Sequence, residues 1–205
     1  MKLGILGGTF NPIHNGHLII GQYALEEYEL DKLLIMPTGL SYLKSRDFVL
    51  SREERAKMVM LAIEGEDHFE FSDYEIKKEG NTYTCETLEY FKRIYPKDEL
   101  FFIIGEDSLF SMESWFHPEL IFKYADILVA VRDRDKSQGI EEKIKELKEG
   151  YRARIHLIHS PRIDISSTAI RERIKEGKSV RFFLPDKVND YITENKVYTS
   201  SSCEG

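Results

Sequence analysis

Two histidines three residues apart, His14 and His17, close the run Gly7-Gly8-Thr9-Phe10-Asn11-Pro12-Ile13-His14-Asn15-Gly16-His17. A glycine pair lets the backbone approach a ligand closely, because glycine has no side chain and tolerates positive φ. If Gly16 lies at a helix start, the spacing puts both imidazoles near one face of the first turn, beside amides that carry partial positive charge. An oxyanion such as phosphate suits that place. Taken alone, the pair also fits a metal pair or a helix start with two solvent-facing histidines. A second cluster, Ile165-Ser166-Ser167-Thr168-Ala169-Ile170-Arg171, sets three hydroxyls at a helix start and a guanidinium one turn later. Caps, dipole and arginine together make a polyanion site, although a plain capped helix reads the same way.

These residues need elements that bring them together. Lys2-Leu3-Gly4-Ile5-Leu6 is a short apolar run stopped by the glycine pair, and His17 to Glu29 carries apolar residues at helical spacing. Leu33 to Met36 repeats the strand pattern before Pro37. Ser51 then opens a helix, with Glu54 placed as in a capping box. Further strands are expected near Phe69-Glu70-Phe71, at Leu100 to Ile104, at Ile127 to Val131 and at Ile155 to Ile158. Helices are expected from about Cys85 to Ile94, from Ile140 to Glu149, from the Ser166 cluster to Lys175, and after Pro185. Strands that read as continuous apolar runs and alternate with helices imply a parallel sheet covered on both faces. The predicted fold is α/β and doubly wound, with a helical C-terminal end. In such folds ligands bind at the carboxyl ends of the strands, where the glycine loop sits.

A chain of 205 residues with 41% hydrophobic and 32% charged residues is long enough to bury a core and is far from the composition of disorder. We expect one domain over residues 1–199 and a frayed tail at 200–205, with no linker or internal repeat. A net charge of −7 argues against a broad grip on a nucleic-acid backbone, so any polyphosphate must be held by a local site. Cys85 and Cys203 sit far apart and form no paired spacing, which speaks against disulfide and zinc frameworks and for a reducing cytoplasm. No apolar run suggests export or a membrane anchor. A homo-oligomeric state is left open.

The first run resembles the signature of the nucleotidyltransferase superfamily, with its HxGH motif, and Ile165 to Arg171 resembles that superfamily's ISSTxIR motif. The resemblance implies that His14 and His17 contact the phosphates of a nucleoside triphosphate and stabilise charge as pyrophosphate leaves. It also implies that Gly7, Gly8, Thr9, Phe10 and Gly16 line the nucleotide site, and that Ser166, Ser167, Thr168 and Arg171 grip the triphosphate from the other side. Chemistry of this kind asks for positioned donors more than for a protein nucleophile.

Between these motifs lie Thr82-Tyr83-Thr84-Cys85-Glu86-Thr87-Leu88, then Gly105-Glu106-Asp107-Ser108, then Trp115-Phe116. Their order and spacing resemble the nicotinate-nucleotide adenylyltransferase family, from Lys2 to about Tyr198. That resemblance implies transfer of AMP from ATP to nicotinate mononucleotide, a step of NAD biosynthesis, with Mg²⁺ carried by the substrate phosphates and no protein-held metal. It implies that Tyr83, Thr84, Trp115 and Phe116 meet the mononucleotide, the pyridine ring lying on Trp115, and that Lys44 reaches its phosphate. Gly105 and Asp107 would lie near the ATP ribose and Arg132 over the adenine. The chain departs from the family pattern at Asn11, where aspartate is usual, at Ser41-Tyr42-Leu43-Lys44 in the slot of a P-P-H-K element, and at Lys77-Lys78, where an arginine is common. Related acceptors, nicotinamide mononucleotide among them, stay open, as does a regulator that binds the nucleotide without turnover.

Overall fold

The structure, a computed structural model, describes residues 1–39, 49–131 and 137–199. Strand β1 (Lys2–Gly8) leads through the glycine loop into helix α1 (Asn15–Glu27), and β2 (Lys32–Pro37), α2 (Arg52–Ala62) and β3 (Phe69–Phe71) complete the first half. Two helices, α3 (Tyr74–Lys77) and α4 (Thr84–Ile94), then lead to β4 (Glu99–Gly105), which runs directly into α5 (Glu106–Ser111) and a 3₁₀ turn at Met112–Ser114. The remainder is α6 (Pro118–Tyr124), β5 (Asp126–Ala130), α7 (Ser137–Tyr151), β6 (Ile155–Ile158), α8 (Ser167–Lys175) and α9 (Asp186–Glu194).

The six strands form one sheet in the order β3-β2-β1-β4-β5-β6, and every pairing is parallel. This is the doubly wound arrangement expected from the apolar runs. Successive residues of each strand go to opposite faces, and both faces are covered. Leu33, Ile35, Phe101, Ile103 and Leu128 pack with Ala24, Met58, Val59, Ile170, Val188 and Ile192 on one side. Leu34, Met36, Phe102, Ile104, Ile127 and Val129 pack with Leu88, Phe91, Leu109, Ile121 and Leu147 on the other. A strand buried on both sides has no place for alternation, which is why these segments read as unbroken hydrophobic runs.

Predicted and observed elements agree with small shifts. Helix α1 begins at Asn15, and Pro185 stands at the cap of α9 with Asp186 as its first helical residue. Ser51 caps α2, and Ser51 and Glu54 bond reciprocally as the capping box requires. Helices α3, α5 and α6 were not expected. Each spans seven residues or fewer, too short for an apolar period to show. Among the described residues no helix is long and apolar enough to cross a membrane.

The topology decides where a ligand can sit. Winding reverses between β1 and β4, whose connections leave toward opposite faces, so their carboxyl ends open a crevice. The glycine loop after β1 and Gly105 at the end of β4 lie at that crevice, as does the start of α8.

Candidate active site

A cleft of about 920 Å³ opens at this point. Gly7, Gly8, Thr9, Phe10, His14, Gly16 and His17 line it together with Ser166, Ser167, Thr168 and Arg171. Gly105, Asp107 and Trp115 lie along the β4 side, with Ser160 and Ile163 after β6.

The glycine-loop wall is built by a strained turn. Phe10 has φ 48, a left-handed conformation that costs a non-glycine residue energy and must be held by its surroundings. It buries its ring at 2% exposure beneath the loop. A Cβ on Gly8 would come within 2.8 Å of that ring, so position 8 has to be glycine. The Phe10 ring meets His17 edge-on at 5.0 Å between centroids. His17 in turn stacks on His14 at 3.6 Å with 24° between the planes. Gly16 leaves room beside the stack, since a Cβ there would stand 3.0 Å from Nδ1 of His14 and crowd that ring.

The hydrogen bonds also fix the tautomer of His17. The backbone N–H of His14 donates to Nδ1 of His17 at 3.2 Å. A main-chain amide can only donate, so Nδ1 is the acceptor and the ring's proton lies on Nε2. The His17 amide bonds back to the His14 carbonyl at 2.9 Å, closing the first turn of α1.

The two polyanion motifs, distant in sequence, are joined directly. Ser167 Oγ donates to the carbonyl of Pro12 at 2.8 Å, and Arg171 Nη1 donates to the carbonyl of Asn11 at 2.8 Å. Arg171 Nη2 also donates to Thr168 Oγ1 at 3.3 Å. Ser166 caps α8 by accepting from the amide of Ala169 at 3.2 Å. The N-termini of α1 and α8 therefore both open on the cleft, with a guanidinium and two imidazoles between them. Such a set of fixed donors binds a polyanion and stabilises negative charge that develops on it.

Several residues that hold this site carry no local sequence signal. Arg55, on the buried face of α2, donates to the carbonyls of Thr9 at 2.8 Å, Thr38 at 2.8 Å and Leu50 at 3.3 Å. It thereby ties the glycine loop to the loops after β2 and before α2. In sequence it is one more charge in the run Arg52-Glu53-Glu54-Arg55. Asn11 is also buried, and its Oδ1 accepts from the Tyr198 hydroxyl at 2.8 Å and from the Leu50 amide at 3.3 Å. Glu75 is buried and accepts from Thr87 Oγ1 at 2.8 Å. Burial pushes its carboxyl above the usual carboxylate range, while bonds from Thr87, Thr82 and the Gly39 amide pull the other way.

The residues expected on the acceptor side are placed unevenly. Trp115 lines the cleft, its Nε1 donating to Ser111 Oγ at 3.3 Å and its ring edge-on to Phe102 at 6.5 Å. Tyr83, Thr84 and Phe116 are not among the lining residues. Tyr83 and Phe116 pack on each other at 4.5 Å, and Thr84 is the first residue of α4. Asp107 lies within the first turn of α5, for which Gly105 is the cap. Lys44 and Arg132 lie outside the described residues.

The cytidylyltransferase-like family model matches residues 5–173. A protein of Lachnoclostridium phytofermentans named "Probable nicotinate-nucleotide adenylyltransferase" is 43% identical over 197 residues, covering 96% of this chain and 98% of the relative. One of the same name from Caldicellulosiruptor saccharolyticus is 43% identical over 198 residues, covering 97% and 99%. Among solved structures, the Plasmodium falciparum nicotinic acid mononucleotide adenylyltransferase complexed with APC superposes with a TM-score of 0.77 at 19% identity, covering 96% of each chain. That last likeness is one of fold.

Proposed function

The chain belongs to the cytidylyltransferase-like family and, within it, to the nicotinate-nucleotide adenylyltransferases, and from this premise we propose that its cleft transfers AMP from ATP to nicotinate mononucleotide. The products are deamido-NAD and pyrophosphate, and the working unit is a single domain over residues 1–199. The observation that carries the reading is the direct joining of the two donor clusters through Ser167 to Pro12 and Arg171 to Asn11. A triphosphate laid between them would meet donors from both sides.

In this reading a phosphate oxygen of the mononucleotide attacks the α-phosphorus of ATP in line. The bond from that phosphorus to the oxygen bridging it to the β-phosphate breaks, and pyrophosphate leaves with the electron pair. His17, donating from Nε2, and its stacked neighbour His14 meet the charge that builds on the phosphates; Arg171 and the start of α8 hold the leaving group. Thr9, Gly105 and Asp107 border the nucleoside part, and we assign Arg132 to the adenine on the family resemblance. Trp115 offers a flat face to the pyridine ring. On the family resemblance we assign Tyr83, Thr84 and Phe116 to the acceptor and Lys44 to its phosphate.

Among the described residues no group of three or more His, Cys, Asp or Glu is arranged to hold a metal ion. We infer that Mg²⁺ comes with the substrate, held by its phosphates and water. When bound in that way, the metal neutralises charge on the triphosphate. The buried free thiol of Cys85 suits a reducing cytoplasm.

The test is pyrophosphate release by purified protein given ATP and Mg²⁺. Release is expected only when nicotinate mononucleotide is added. No release with it sinks the proposal, and equal turnover on nicotinamide mononucleotide removes the preference for the acid.

A further inference from the structure

Asn11 gathers contacts from three distant parts of the chain. Its main-chain oxygen takes Arg171 Nη1 at 2.8 Å, and its side-chain Oδ1 takes the hydroxyl of Tyr198 at 2.8 Å and the amide of Leu50 at 3.3 Å. Tyr198 lies beyond α9, 187 residues from Asn11. Its side chain is fully buried, in the cluster that also contains Val188, Ile192 and Val197.

We infer that Tyr198 is a positioning residue for adenylyl transfer, fixing through Asn11 the loop that aims Arg171 at the triphosphate. The inference rests on the proposed function for its reaction but not for its binding readout. The loop between β1 and α1 cannot hold itself. It contains Phe10 in a left-handed conformation, and such a turn persists only when its surroundings over-determine it. Bonds from outside the loop supply that constraint: Arg55 holds the Thr9 carbonyl, Ser167 holds the Pro12 carbonyl, and Tyr198 with Leu50 holds the side chain of Asn11.

Of these anchors, only Tyr198 joins the loop to the chain's last helical region. Its ring is set in the hydrophobic core, so its hydroxyl is a fixed point. Burial pushes the ionisation of that hydroxyl far above the ordinary tyrosine value, which keeps it a neutral donor at any working pH. The acceptor is equally suited: the carboxamide oxygen of Asn11 takes two bonds without bringing a negative charge beside the phosphate-binding wall. The aspartate usual at this place in the family pattern can accept the same two bonds, so the substitution keeps the anchor and removes the charge.

The experiment uses the full chain with Tyr198→Phe, Asn11→Ala and the double variant. ATP affinity in the presence of Mg²⁺ is measured by titration calorimetry, and KM and kcat are measured with both substrates. Removing the one hydrogen bond that Tyr198 gives is expected to weaken ATP affinity and raise its KM about tenfold in Tyr198→Phe; Asn11→Ala, which also loses the bond from the Leu50 amide, loses at least as much. KM for nicotinate mononucleotide stays at the wild-type value, and the thermal midpoint of Tyr198→Phe falls by only a few degrees. The double variant loses no more than Asn11→Ala alone, since Asn11→Ala already breaks the bond that Tyr198→Phe removes.

Wild-type ATP affinity in Tyr198→Phe overturns the inference, as do losses that multiply in the double variant. A parallel rise of KM for both substrates would assign Tyr198 a structural role only and overturn it as well. If Asn11→Ala does not fold, Tyr198→Phe, which lacks one oxygen, decides by its KM split and affinity. If the wild type shows no turnover, the proposed reaction falls and the ATP titration still decides the role of Tyr198.

Discussion

The two flanks of the cleft are built differently. At the end we assign to the triphosphate, nearly every polar group is a main-chain atom or a side chain near a helix start, and the two donor clusters are bonded to each other. On the side we assign to the acceptor the groups are aromatic side chains drawn from separate elements, Trp115 against Phe102 and Tyr83 against Phe116. Stabilising charge on phosphate requires donors that do not move, so that end is made of backbone held in place. Choosing an acceptor requires a shaped surface, which packing can adjust residue by residue.

This difference can be attacked from either flank. The largest effect is expected at the histidine stack: His17→Ala should lower kcat about 10²–10³-fold, the usual loss when one preorganised donor is removed, with the circular dichroism spectrum unchanged. Full activity in that variant would mean that the stack is a helix cap and nothing more.

Arg55 braces the glycine-loop flank from behind, tying Thr9 to Thr38 after β2 and to Leu50 before α2. Arg55→Leu leaves three carbonyls without their donor and is expected to lower unfolding stability by about 2–4 kcal/mol in urea titrations. A stability within error of wild type would show that water replaces the guanidinium without loss.

Trp115→Ala should raise KM for nicotinate mononucleotide about tenfold, the scale of one lost ring stack, and leave KM for ATP unchanged. A change confined to the ATP constant would move Trp115 to the other flank.

Glu75 gives the smallest effect and one with a pH signature. Burial raises its carboxyl pKa above the ordinary 4.5, so the native state holds the proton more tightly than the unfolded chain. The stabilisation from that proton is fully present below about pH 4.5 and is lost as pH rises through the raised native value. Glu75→Gln carries no such proton. Its stability relative to wild type should therefore increase with pH above 4.5 and then level off. A difference that stays constant across the series would show that the buried bonds from Thr87 and its neighbours cancel the burial.

The two donor clusters are legible in the sequence because their information is local. The glycine pair, the two histidines and the Ser-Ser-Thr start of α8 each act within a few residues, and helix starts and strand ends are punctuated by residue type. The apolar runs at Leu33 to Met36, Leu100 to Ile104 and Ile127 to Val131 pointed to a sheet covered on both faces, and the parallel six-stranded order agrees. Helices α5 and α6 were missed because they are short and their capping departs from rule: α5 is capped by Gly105 without a side-chain bond, and α6 follows His117 at φ 49. The placing of Tyr83 and Phe116 with Trp115 rests on the family resemblance; the two rings pack on each other at 4.5 Å, a contact that order along the chain does not foretell.

The amino-acid sequence by itself determined the fold class, the two donor clusters and the kind of chemistry they support, because these follow from residue type, period and spacing over short stretches. Only the tertiary structure decided how the clusters are held. That Arg171 bonds to Asn11, that Arg55 ties three loops together and that Tyr198 reaches back to the glycine loop are contacts between residues separated by up to 187 positions. Such contacts leave no periodic trace, since their partners are chosen by where the packed helices and strands bring them.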